Sequence, residues 1–159
     1  MISSPLALTI LAGTGLYAAW SDARYRRLSN PFVALTAICG IALTVTASGL
    51  AAASSNLLHS AAALLIGLPL FARGLIGGGD VKYYAAVTTW FPLGQGFHLL
   101  AFVSLAGAVL AAGWLIAQRA RLRPKSAGTE PNASPHADKV PFGIAIASGA
   151  ILAALAWPQ

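Results

Sequence analysis

Apolar residues run through this chain in long uninterrupted blocks. They show neither the alternation of a half-buried strand nor the one-sided stripe of a soluble helix. Four stretches carry no charge: 1–21, 28–72, 83–118 and 140–159. The second and third exceed one bilayer crossing, which takes about 20 apolar residues. Each holds a turn signal near its middle: Ser48-Gly49 with Ser54-Ser55-Asn56 in one, Phe91-Pro92-Leu93-Gly94-Gln95-Gly96 in the other. This predicts six helical segments, roughly 3–20, 31–51, 57–76, 81–91, 97–118 and 140–157. The fourth is short for a crossing, so it is expected to be tilted or to begin inside the bundle. The expected fold is an all-α, polytopic bundle of about six transmembrane helices, forming a single membrane-embedded domain over 1–159. A flexible loop rich in Pro, Ser, Ala and Gly is expected at about 119–139.

Composition agrees with lipid as the main solvent: of 159 residues, 57% are hydrophobic and 9% charged, well below the charged share of a soluble domain. The first apolar run lacks the positive n-region of a cleaved signal peptide and carries its positive charges afterwards, so it is read as a retained span. The lone Cys39 has no internal disulfide partner and reads as a small packed side chain.

When the six segments alternate across a bilayer, all ten Lys and Arg residues fall on one side. They are Arg24, Arg26 and Arg27; Arg73 and Lys82; and Arg119, Arg121, Arg123, Lys125 and Lys139. The positive-inside rule makes that side cytoplasmic. The net charge of +6 is then explained by topology and anionic lipid rather than by nucleic acid. The four acids, Asp22, Asp80, Glu130 and Asp138, share that side.

Two of these acids matter. Asp22 closes the first segment and Asp80 lies between the third and fourth, at similar depth. Acids at membrane depth are costly and usually face a bundle interior. Two carboxylates held close share a proton and can act as joint acid and base on a peptide bond. Gly77, Gly78 and Gly79 precede Asp80, and glycine lets backbone approach backbone. These three are expected to form an unwound, strand-like stretch where water and an extended peptide meet Asp80. Structural readings stand beside these. Asp80 could cap a helix starting at Val81. Asp22 could pair with Arg26 four residues on. Asn30 reads as an N-cap with Pro31 at the first helical position. Lys82 reads first as an interfacial anchor, and second as a group that binds an acidic substrate side chain or tunes one carboxylate.

Three stretches resemble the type IV prepilin leader peptidases, in the short form of Tad/Flp pilus systems. These are Asp22-Ala23-Arg24-Tyr25-Arg26-Arg27-Leu28-Ser29-Asn30, Gly77-Gly78-Gly79-Asp80-Val81-Lys82, which fits that family's Gly-x-Gly-Asp-x-Lys, and Val140-Pro141-Phe142-Gly143. The first departs from the family pattern in that Leu28-Ser29-Asn30 replaces Ile-Pro-Asn, with the proline one place later. The resemblance implies a membrane-embedded aspartic endopeptidase of the bacterial inner membrane. Asp22 and Asp80 would be its catalytic pair, and Arg24, Asn30, Gly77, Gly78, Gly79 and Lys82 would shape the loops or contact substrate. It further implies a prepilin as partner, cleaved at the cytoplasmic face after a glycine, with no metal and no cofactor. Bifunctional members carry a cysteine-rich domain and also methylate the new N-terminus; with one cysteine here, peptidase activity without methyl transfer is expected.

Rival readings have less to stand on. A serine intramembrane protease needs a serine and a histidine at matching depth, but His59 and His98 fall near outer turns and His136 in the loop. No His-Glu-x-x-His metal motif occurs. A small ion-coupled transporter predicts acids near the midplane and often a pseudo-repeat; a non-enzymatic membrane subunit predicts that neither aspartate is needed.

Overall fold

A computed structural model of the chain describes residues 4–25, 28–121 and 142–156. Its elements are α1 (Pro5–Tyr25), α2 (Asn30–Ala72), α3 (Gly78–Thr88), a 3-10 turn (Leu93–Gln95), α4 (Gly96–Arg121) and α5 (Phe142–Ala156). The fold is all-α, with no strand among the described residues. Expectations for Arg26, Arg27, Val140, Pro141 and the part of the 119–139 loop beyond Arg121 lie outside those residues.

α2 is two arms joined at a break. A straight helix of its 43 residues would be about 65 Å long, twice a bilayer core. Gly49 takes φ 80° and ψ 178° inside it, a conformation in which only glycine is comfortable. The chain reverses there. Asn56 Nδ2 donates to Thr44 Oγ1 at 3.0 Å although the two are 12 residues apart, a separation of about 18 Å along a straight helix. The turn signal at Ser48-Gly49 is therefore a real turn, whereas Ser54-Ser55-Asn56, expected to belong to it, is helical.

α3 lies against both arms. Ser60 Oγ donates to Ala85 O at 2.8 Å, and Asn56 Nδ2 also donates to Thr89 O at 2.7 Å. Trp90 Nε1 donates to Thr36 O at 3.1 Å, and His59 Nδ1 bonds Phe91 O at 3.0 Å. Ser60, Asn56 and His59 reach carbonyls at or just beyond the early end of α3, where helical partners run out; Trp90 ties the same end to the first arm of α2. With 11 residues, α3 reaches about 16 Å against about 30 Å of hydrocarbon. It is a short, largely buried helix, as its length in sequence suggests.

α5 packs against α1, α3 and α4. It is apolar all round, and its buried positions are mostly small, including Ala145, Ala147, Gly149, Ala150, Ala153 and Ala154. A β-carbon at Gly149 would lie 2.5 Å from Val103 Cα, so the α4 and α5 backbones touch, as small residues allow between membrane helices.

The outer surface is oily and the inner one partly polar. Leu16, Leu50, Leu58, Leu105, Val109 and Ile116 face outward, while Thr36, Asn56, His59, Thr88 and Thr89 are buried. Two stretches, Asn30–Ala72 and Leu93–Arg119, are long and apolar enough to cross a membrane, and the apolar α5 is shorter.

Candidate active site

The end of α2 sets the position of Asp80. Gly74 takes φ 73°, its N–H donates to Phe71 O at 2.8 Å, and Leu75 N–H donates to Leu70 O at 3.0 Å. This paired closure ends a helix through a left-handed glycine and turns the chain back. Gly77 is extended and serves as the N-cap of α3. Gly78 and Gly79 are already helical, which corrects the expectation of a strand-like glycine stretch. Asp80 is the third residue of α3 rather than its cap, because the helix begins three residues earlier than Val81.

The glycines are not equivalent. A β-carbon on Gly77 would sit 2.6 Å from Asp80 Oδ2; one on Gly78 would press to 3.0 Å on the Phe71 ring; one on Gly79 would meet open space. Gly77 leaves the room that the Asp80 carboxylate occupies.

Asp80 also lines a cavity of about 430 Å³, together with Leu70, Ile76, Tyr84, Leu100 and Phe142. α3 runs antiparallel to the second arm of α2, with Ser60 opposite Ala85 and Gly67 opposite Val81. The cavity follows that arm from His59 to Leu70, about 16 Å of helical rise, with Asp80 at the Leu70 end. Its walls are apolar apart from Asp80, His59, Tyr84 and Ser104.

Asp22 lies in the last turn of α1 and is buried. Gly143 N–H, in the first turn of α5, donates to Asp22 Oδ2 at 2.8 Å. Burial and then the charge of Asp22 push the Asp80 carboxyl from 3.8 up to about 6. Desolvation and a like charge both favour the protonated form. Asp80 sits in the first turn of α3, outside the two stretches long and apolar enough to cross a membrane. The structure therefore brings the two acids within electrostatic reach of each other from helices 1 and 3.

The other named residues are placed as follows. Arg24, Lys82 and Asn30 are exposed, which for Lys82 agrees with an interfacial anchor. Asn30 is the first residue of α2 and Ser29 its N-cap, without a side-chain capping bond; this corrects Asn30 as the cap. The Asp22 to Arg26 pairing involves a residue outside the described ones. An aromatic cluster surrounds this end of the molecule: Tyr17 packs on Phe32 at 4.6 Å, Trp20 on Tyr25 at 5.5 Å and Phe32 on Tyr83 at 6.2 Å between centroids.

Sequence reasoning missed two contacts. His59, an ordinary polar residue near an outer turn by sequence, is buried and lines the cavity. Gly143 was singled out only through resemblance, and its bond to Asp22 spans 121 positions, which no local pattern reveals.

No curated protein and no solved structure matches the chain. The model of the type IV leader peptidase family does match, over residues 9–112. That span takes in Asp22, the break at Gly49, the α2 to α3 turn and Asp80, and by it the chain belongs to the type IV leader peptidase family.

Proposed function

We propose that this protein is a membrane-embedded aspartic endopeptidase that removes the short basic leader of Tad/Flp-like type IV prepilins at the cytoplasmic face of the bacterial inner membrane. The observation that carries this reading is Asp80 at one end of an apolar cavity, with the Asp22 charge adding to burial in raising its proton affinity.

The chemistry is general acid and base catalysis. The ionised carboxylate takes a proton from water, whose oxygen attacks the peptide carbonyl carbon. The protonated carboxyl donates to the carbonyl oxygen. As the carbon–nitrogen bond breaks, the water-derived proton passes to the leaving nitrogen, and the carboxyl recovers its own proton as the carbonyl re-forms. The products are a carboxylic acid and a free amine, and the aspartate pair ends in its starting state. An apolar cavity lined in part by Asp80 suits a substrate whose hydrophobic helix stays in the bilayer. Aromatic side chains clustered around Tyr17, Trp20 and Tyr25 support a membrane interface at the depth of the acids. A six-span, single-domain topology with that interface cytoplasmic is the arrangement that would put all ten Lys and Arg residues of the sequence on the side the positive-inside rule favours.

The test is co-expression with a panel of Tad/Flp-like prepilins, following leader removal by mass spectrometry. Wild type should cleave, and Asp22→Asn and Asp80→Asn should each insert normally and cleave nothing. Cleavage by either variant would refute the two-aspartate mechanism, and a wild type that cleaves nothing would favour a non-enzymatic subunit.

A further inference from the structure

We propose that Gly143 is a positioning residue of the active site, whose main-chain N–H clamps the Asp22 carboxylate as the ionised, water-activating partner of Asp80. This rests on the peptidase reading above. Gly143 lies outside the span matched by the family model, so the clamp comes from a part of the chain that the match does not reach.

Two features of this contact carry the inference. The first is the 2.8 Å bond from Gly143 N–H to Asp22 Oδ2, buried within the protein. The second is steric: a β-carbon at Gly143 would lie 2.8 Å from Oδ2, 3.0 Å from Cγ and 3.1 Å from Cβ of Asp22. Every residue but glycine would push the carboxylate away, so close approach and donor depend on one position. A carboxylate that accepts a main-chain N–H in the first turn of a helix is favoured in its charged form.

The same turn touches both halves of the site. Phe142 lines the cavity with Asp80, and Gly143 holds Asp22. α5 contacts both α1 and α3, and its first turn bonds Asp22 on α1 and shares a cavity with Asp80 on α3. Its tight seat on α4 at Gly149 fixes the height of that turn. α3 brings Asp80 and Tyr83, both within reach of the Asp22 charge; α1 itself carries Arg24 and Tyr25; the described residues of α5 contain no titratable side chain. The polarity of the pair therefore follows from its neighbours: the acid beside the N–H is the base, and the one beside the apolar cavity is the acid.

The experiment has two arms. In the first, the full-length protein in lipid nanodiscs is labelled with 15N-glycine, and the Gly143 amide is followed against pH. It should titrate in the wild type and lose that titration in Asp22→Asn, with or without a substrate. A Gly143 amide that ignores Asp22 overturns the clamp, whatever the protein cleaves. In the second, leader removal is compared for wild type, Gly143→Ala and Gly13→Ala, the last adding a β-carbon in open space on α1. Gly143→Ala should lower kcat about 100-fold, the scale for a misplaced catalytic group, with KM unchanged, and move the acidic limb of the pH profile upward. Gly13→Ala should match wild type. If Gly143→Ala cleaves normally while Asp22→Asn is dead, the clamp is refuted and the peptidase reading stands. If the amide titrates but wild type cleaves no prepilin, the peptidase reading fails and takes the catalytic meaning of the clamp with it.

Discussion

The Asp22 carboxylate on α1 makes the Asp80 carboxyl on α3 harder to ionise, adding to the larger effect of burial. Removing the charge while keeping the shape separates the two causes. In Asp22→Asn, Asp80 should titrate below about 6 but still above 3.8, because burial is the larger cause. Infrared titration of 13C-aspartate-labelled protein reads this directly. No change on substitution would mean that the two acids do not interact.

The same shift has a consequence for stability. The unfolded chain loses this proton near 3.8 and the folded one near 6. Folding therefore carries a penalty from Asp80 that is absent below the lower value and grows as pH rises to the upper one. Asp80→Asn should raise the unfolding temperature in detergent at pH 7 and leave it unchanged at pH 3. An equal effect at both would assign the difference to packing.

Cleavage should need Asp80 protonated, so the rate should fall as pH rises through about 6. The limb belongs to the coupled pair rather than to one residue. A flat profile from mildly acidic to neutral pH in a reconstituted assay would count against a shared proton.

The three glycines before Asp80 should respond unequally. Gly77→Ala forces a β-carbon to within 2.6 Å of Oδ2 and should cost about 100-fold in kcat by moving the carboxylate. Gly79→Ala enters open space and should cost far less. Equal losses would show that backbone flexibility, and not room for the carboxylate, is what the triplet supplies.

The hairpin in α2 should depend on Asn56 and Gly49. Asn56→Ala leaves the Thr89 carbonyl without its 2.7 Å donor in a buried setting, a loss of about 1–3 kcal/mol. Gly49→Ala places a side chain where φ is 80°, at about 1–3 kcal/mol. Reversible unfolding in mixed micelles measures both, and a neutral Asn56→Ala would mean that the arms hold together without the polar link.

Much of this was legible in the residues alone. Uncharged runs set the helical segments, because a chain this poor in charge must satisfy its backbone internally. Ser48-Gly49 marked the reversal, because few residues tolerate its backbone angles. Glycines beside Asp80 announced a close approach, and Asp22 and Asp80 stood out because acids are scarce. What the tertiary structure alone decided was which glycine makes room, where α3 begins, that His59 is buried beside a cavity, and that Gly143 reaches Asp22. These depend on packing between segments up to 121 positions apart. Local pattern records what each residue tolerates; which distant neighbour it meets is settled only when the helices pack.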